Sequence, residues 1–168
     1  IIINAAGIQR RYPSPNFSLE DWNDVIEVNL TAPFDLSQMA AREFLKKEKP
    51  YGKIVNIASM LSFFGGFTVP AYAASKGGVA QFSKALCNEL AGKGITVNCI
   101  APGYMDTEMN TALTDPSNPR YQEITDRIPA HRWGTPDDMK GTAIFLSSYA
   151  SDYLNGAVIP VDGGYLVK

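Results

Sequence analysis

The chain has 168 residues, 45% hydrophobic and 19% charged, which suits one soluble globular domain with a sizeable core. Its net charge of −2 argues against general attraction to nucleic acid or anionic membrane, and the densest charge run, Lys46-Lys47-Glu48-Lys49, reads as a solvated helix end. No apolar run approaches membrane-spanning length, and Cys87 and Cys99 sit in apolar segments away from metal-ligand spacing. No metal site is therefore expected, and the two thiols read as buried in a reducing, cytoplasmic setting.

Ile1 to Asn4 reads as a short buried strand, followed by a turn at Ala6-Gly7. The opening Ile-Ile-Ile has no basic n-region or cleavage site and starts in mid-core, so the chain is expected to be the remainder of something longer. Ser18-Leu19-Glu20-Asp21 is a capping-box start for a helix to about Lys47. Lys53 to Ala58 gives a second strand, and a loop through Gly65-Gly66 leads to a helix from Pro70 to about Leu90, stopped at Gly92-Lys93-Gly94. Ile95 to Ile100 is a third strand. Pro102-Gly103 opens a weakly patterned segment that reads as a flexible lid, with a short helix near Tyr121–Arg127. Thr135-Pro136-Asp137-Asp138 starts a helix to about Ser148, and Ala157 to Val161 makes a fourth strand ending at Asp162-Gly163-Gly164.

Strands alternating with helices imply a parallel sheet covered on both faces, in which ligands collect beyond the carboxyl ends of the strands. Asn4, Ser59 and Pro102-Gly103 fall at those ends. Tyr72 and Lys76 lie four apart in the first turns of their helix, one above the other. An ammonium beside a phenol, at the positive end of a helix dipole, favours the phenolate and would let Tyr72 exchange a proton near neutral pH. Taken alone, the same spacing also fits a half-exposed phenol beside a solvated lysine. Pro33 cannot donate to the Asn29 carbonyl four residues back, so a kink is expected there, either merely tolerated or freeing that carbonyl to hold a water. Ser59 could donate to a substrate oxygen or serve as a turn residue, and Asn4 could be a turn former.

Together these positions resemble the short-chain dehydrogenase/reductase family. Ser59 precedes Tyr72 by thirteen residues, Lys76 completes Tyr-x-x-x-Lys, and Asn29 stands in a Val-Asn-Leu context. Asn4-Ala5-Ala6-Gly7 resembles the family's Asn-Asn-Ala-Gly turn with alanine as its second residue, and Asp162-Gly163-Gly164 resembles its C-terminal signature. The resemblance implies hydride transfer between a carbonyl or alcohol carbon and NAD or NADP. It makes Tyr72 the general acid or base and Lys76 the group that lowers its pKa and binds the nicotinamide ribose. Ser59 would polarise the substrate oxygen, and a water on Asn29 would complete a proton relay. Asn4, Ala5, Gly7, Tyr72, Lys76, Pro102, Gly103, Met105 and Thr107 would contact the cofactor. A homo-oligomer, usually a tetramer, is implied as well.

More narrowly, Ile57–Phe63, Ala101–Met105, Arg127–Ala130 with Arg132-Trp133-Gly134, and Ala150–Tyr153 resemble the 2-dehydro-3-deoxygluconate 5-dehydrogenases (also called 2-deoxygluconate 3-dehydrogenases) and the gluconate 5-dehydrogenases. That implies a sugar-acid substrate, with Arg11 beside Ser59 and Tyr72 as substrate-binding residues; a guanidinium pairs with a carboxylate through two parallel hydrogen bonds. Arg11 could equally be a surface arginine. Another bulky carbonyl, reduced by a ketoreductase, is the nearest alternative substrate. His131 reads as loop surface. The family's Thr-Gly-x-x-x-Gly-x-Gly turn, which cradles the pyrophosphate, is not found in these residues. The expected fold is therefore α/β, the C-terminal half of a Rossmann-like doubly wound sheet, with the first three strands absent and residues 1–168 forming one truncated domain. Cofactor binding would be weak or absent in such a form, and an inactive fragment persisting as an oligomerisation module is the competing reading. Strand Ile1–Ile3 would then be an uncovered apolar edge.

Overall fold

The computed structural model describes residues 1–168 and contains four parallel strands in the order β1-β2-β3-β4: Ile2–Asn4, Gly52–Ile57, Ile95–Pro102 and Val158–Val161. Ile54 pairs with Val97 and Val55 with Asn98, so side chains two apart face the same way and neighbours face opposite layers. On one face Ile54, Ile95 and Val97 pack with Ala41 and Leu90, and Cys99 and Ala101 pack with Val79. On the other, Val55 and Ile100 pack with Leu146. β2 and β3 are covered on both faces, so their polar residues Lys53, Asn56, Thr96 and Asn98 are buried along with the apolar ones. At the edge strand β1, Ile3 is 43% exposed, and Ile1 just before it is 67% exposed.

The helices supplying the first face are α1 (Leu19–Ile26), α2 (Ala32–Leu45) and α3 (Pro70–Leu90). Ser18 caps α1, its hydroxyl accepting the Asp21 N–H at 3.0 Å. The expected single helix to Lys47 is in fact interrupted. Glu27–Thr31 forms a π turn, in which the Ala32 N–H bonds the Glu27 carbonyl five residues back. Pro33 then sits in the first turn of α2, where its missing N–H costs little. The extra residue in the turn pushes Asn29 and Leu30 toward α3, a common form of helix irregularity at working sites. α3 receives them at Gly78, where a Cβ would lie 2.8 Å from Leu30 Cδ1.

The opposite face is covered by α6 (Pro136–Ser147), whose start is a reciprocal Thr135–Asp138 capping box reinforced by a bidentate Arg132–Asp138 pair at 2.8 Å for both bonds. The turn after α6 is tied to the start of β2 by Lys53, fully buried, whose Nζ donates to Asp152 Oδ1 at 2.7 Å and Ser151 Oγ at 3.2 Å.

The segment after β3 departs from the loose lid expected. α4 (Thr111–Thr114) and α5 (Pro119–Arg127) are docked by an apolar cluster of Met60, Ile124, Ile128, Trp133 and Tyr165. Tyr121 stacks on Trp133 at 5.9 Å, and the Trp133 indole N–H donates to Thr125 Oγ1 at 3.0 Å. Its aromatic residues are too widely spaced in sequence to show a period, so only tertiary packing brings them together. No helix is long and apolar enough to cross a membrane.

Candidate active site

Ser59 stands directly after β2 and caps the turn Met60–Ser62. Its Oγ accepts the Leu61 N–H at 3.1 Å, which engages a lone pair and leaves the hydroxyl proton free to point outward. The Ser59 N–H in turn donates to Ser62 Oγ at 3.3 Å, and Ser62 Oγ donates to the Lys76 carbonyl at 2.7 Å. Ser62 thus fastens the serine turn to the tyrosine helix. Sequence reading passed over it, because a serine three residues along a loop has no distinguishing pattern.

Tyr72 lies in the first turn of α3, partly covered, and shares a cavity of about 250 Å³ with Ser59, Gly103, Tyr104, Arg11 and Arg120. Lys76, one turn further, is 3% exposed; its Nζ donates to the Ile57 carbonyl at 2.7 Å and lies 5.7 Å from the Tyr72 ring centre. Burial lowers the Lys76 pKa to about 8. The expected depression of the Tyr72 pKa is not what this geometry gives. Burial raises it above the ordinary phenol value, with a side-chain interaction from Ser59 pulling the other way. Desolvation of the phenolate outweighs the Ser59 interaction, so Tyr72 keeps its proton at neutral pH.

Asn29 is fully buried in the π turn, and its side chain faces the loop after β1. Its Oδ1 accepts the Ile8 N–H and its Nδ2 donates to the Ile8 carbonyl, both at 2.8 Å, with Ser75 Oγ a further acceptor at 3.3 Å. Gly7 lies against the same groups: a Cβ on it would stand 3.5 Å from Asn29 Oδ1 and 3.7 Å from Lys76 Nζ. Asn4 is turned inward instead, its Nδ2 donating to Asn56 Oδ1 at 2.7 Å and Ser37 Oγ at 3.1 Å. These bonds engage the Nδ2 of Asn4 and not its Oδ1, and Ala5 beside it is exposed.

Pro102 and Gly103 end β3, with the Gly103 N–H bonded to the Val161 carbonyl at 2.9 Å. Met105 turns its side chain under Gly134, away from Tyr72's cavity, and its carbonyl accepts from Asn110 Nδ2 at 2.9 Å. Thr107 precedes the short turn Glu108–Asn110 without capping it. The donor chemistry suits a nicotinamide ribose. Lys76 uses one of its three N–H groups internally, the Tyr72 hydroxyl lies one turn away, and Gly7 and Gly103 present bare backbone at two strand ends.

The adjacent arginines divide. Arg10 pairs with Asp21 at 3.3 Å on α1, whereas Arg11 lines the cavity, its Nη1 donating to the Phe67 carbonyl and Thr68 Oγ1, both at 3.3 Å. Sequence reading also missed Tyr104, Tyr165, Arg120 and Arg127 in the cavity wall. The signal available was the helical spacing of Arg120, Ile124 and Arg127, which puts them on one face of α5. His131 is exposed loop surface, with φ +52°.

Residues 1–166 match the family model described as enoyl-(acyl carrier protein) reductase. The chain is 51% identical over 168 residues to a 2-dehydro-3-deoxy-D-gluconate 5-dehydrogenase of Dickeya dadantii (strain 3937), covering 100% of this chain and 66% of that one. A crystal structure from Agrobacterium tumefaciens, described as a candidate 2-deoxy-D-gluconate 3-dehydrogenase with bound NADP, superposes with a TM-score of 0.95 at 51% identity, over 99% of this chain and 67% of that one. A gluconate 5-dehydrogenase from Burkholderia cenocepacia J2315, in complex with NADP and tartrate, gives a TM-score of 0.94 at 42% identity, over 99% and 64%. The chain thus spans about two thirds of the length of the relatives it matches. By sequence over its whole length, and by a parallel sheet that carries Ser59, Tyr72 and Lys76 at its carboxyl end, the chain belongs to the short-chain dehydrogenase/reductase family.

Proposed function

We propose that this chain carries the proton-transfer half of an NAD(P)-dependent oxidoreductase acting on a sugar acid such as 2-dehydro-3-deoxy-D-gluconate. The observation that supports this most is the meeting of Ser59 and Tyr72 in one cavity, with Lys76 buried behind them. The sugar-acid names of the relatives, together with Arg11 in the same wall, support the substrate class.

A nicotinamide, when bound, supplies or takes up the hydride. Tyr72, protonated at neutral pH, gives its proton to the carbonyl oxygen in reduction and recovers it in oxidation. Ser59 donates to the same oxygen from a fixed turn. Lys76 is charged below about pH 8 and stabilises the phenolate as it forms. The Asn29 side chain is engaged with Ile8, so a water relay there would rest on its main-chain carbonyl. Gly7, Lys76, Tyr72, Pro102, Gly103 and Thr107 would hold the nicotinamide end, with Asn4, Ala5 and Met105 contributing beside them. NADP bound in the related structures supports a nicotinamide dinucleotide as the cofactor.

No glycine-rich pyrophosphate turn lies within residues 1–168, so the activity belongs to a form of the protein that has one. Two free thiols, Cys87 and Cys99, suit a reducing cytoplasm. Exposed Phe34, Leu36 and Met39 on α2 support assembly into a homo-oligomer, and a module that assembles without turning over is the second reading.

The test is loss of nicotinamide absorbance with a keto sugar acid. Turnover should fall by roughly 10²–10⁴ in Tyr72→Phe. Near-normal turnover in that variant would sink the assignment. Light scattering of residues 1–168 alone would separate an assembled module from a monomer.

A further inference from the structure

Four charged groups reach the cavity of Ser59 and Tyr72: Arg11 from the loop after β1, and Arg120, Glu123 and Arg127 from α5. Arg127 packs over the Tyr165 ring at 4.3 Å, so its charge is partly satisfied by the aromatic face. Arg11 and Arg120 have no such partner. The chain's ion pairs join Arg10, Lys46, Lys53, Arg132 and Lys140 to acids, and neither Arg11 nor Arg120 is among them. Arg11 bonds only neutral oxygens, and the positive charge of Arg120 reaches it strongly enough to lower its pKa, after burial. Two like charges converging on one cavity wall disfavour the unliganded protein and favour any anion placed between them.

Both arginines are held on fixed mounts. Thr68 has φ +62°, a left-handed backbone that a β-branched residue adopts only under constraint. Its carbonyl accepts the Tyr12 N–H at 2.9 Å, and its hydroxyl donates to the Phe67 carbonyl at 2.6 Å while accepting from Arg11. Backbone strain of this kind concentrates at ligand clamps. On the other side the Arg120 N–H is capped by Asn118 Oδ1 at 2.9 Å, and α5 is docked through Ile124 and the Tyr121–Trp133 stack.

We propose that Arg11 and Arg120 form a two-armed carboxylate subsite beside Ser59 and Tyr72, with Arg120 the specificity-determining residue contributed by the segment between β3 and α6. The subsite rests on the sugar-acid reading for its natural occupant, a hydroxy- or keto-acid that presents one carboxylate to both guanidiniums. Its binding step needs no hydride transfer, so it can be measured apart from turnover.

The measurement is calorimetric or NMR titration of the protein with tartrate and with threitol, which has the same four-carbon polyol skeleton without carboxylates. Tartrate should bind in preference to threitol and weaken as salt is raised. Arg120→Ala should weaken tartrate by ~10-fold or more while leaving threitol binding and the melting temperature unchanged. Arg120→Lys should fall between the two, because a point charge cannot make the paired hydrogen bonds. Wild-type affinity equal for tartrate and threitol, or an Arg120→Ala variant that matches wild type or loses both ligands in parallel, would overturn the proposal. A protein that keeps the tartrate preference but never turns over a keto sugar acid would remove the hydride-transfer reading and leave the subsite standing.

Discussion

Asn29 grips the main chain of Ile8 at both ends, accepting its N–H and donating to its carbonyl at 2.8 Å each. A primary amide facing a backbone in this way reproduces one rung of a sheet with a side chain, and it is available only because the π turn at 27–31 swings Asn29 inward. Asn29→Ala is expected to cost about 2–3 kcal/mol, the sum of two part-buried groups left unpaired. Hydrogen exchange should speed up at the Ile8 amide well beyond the global change. An unchanged Ile8 amide would show that the loop is held by other contacts.

The lowered pKa of Lys76 makes a signed statement about stability. Below about pH 8 the group is charged in both folded and unfolded chains, so its burial costs a constant amount. Between about 8 and the unfolded value of 10.5 the folded protein has released the proton and the unfolded chain has not, so stability from this group rises with pH. Compared with Lys76→Met, the wild type should gain on the order of 3 kcal/mol across that window. Denaturant melts of both proteins at pH 7 and 10 check this, and a difference independent of pH would refute it.

Ser62 links the Ser59 backbone to the Lys76 carbonyl through a single hydroxyl. Ser62→Ala leaves one donor and one acceptor without that partner, and a loss of about 1–2 kcal/mol is expected. In a form of the protein that turns over, kcat should drop several-fold with KM little changed, since Ser59 loses orientation rather than its hydroxyl. A KM effect alone would place Ser62 in substrate binding instead.

Gly103 sits just beyond the end of β3, against the residue that follows β4: an added Cβ would lie 2.5 Å from the Asp162 Cα. That neighbour is backbone and cannot swing aside. Gly103→Ala should therefore destabilise by about 1–3 kcal/mol, the usual range for overpacking. The Gly103 N–H bond to the Val161 carbonyl should lengthen and exchange faster. Melting at the wild-type temperature would mean that the two strands part at no cost.

Much of this architecture was readable in the chain. β-branched segments at Ile54-Val55 and Ile95–Val97, with caps at Ser18 and Thr135, place the strands and helices to within a few residues of where they stand. β-branched composition and hydroxyl caps are local signals, which is why they survive without a structure. The spacing of Ser59, Tyr72 and Lys76 likewise follows from a strand end and one helical turn. The break at 27–31 was only half visible, since Pro33 announces a disturbance but not the π turn that precedes it.

The sequence by itself determined the alternation of parallel strands and helices, and the chemistry available at the strand ends, because both depend on residue type and short spacing. The tertiary structure alone decided how that chemistry is set. Tyr72 holds its proton because burial disfavours the phenolate, and the Asn4 amide N–H groups turn inward because Asn56 and Ser37 converge on them. Arg120 joins Arg11 at one cavity, although 109 positions separate them in sequence, because α5 folds back over the serine turn. Desolvation and long-range charge are properties of a packed volume, and no local pattern of residues encodes them.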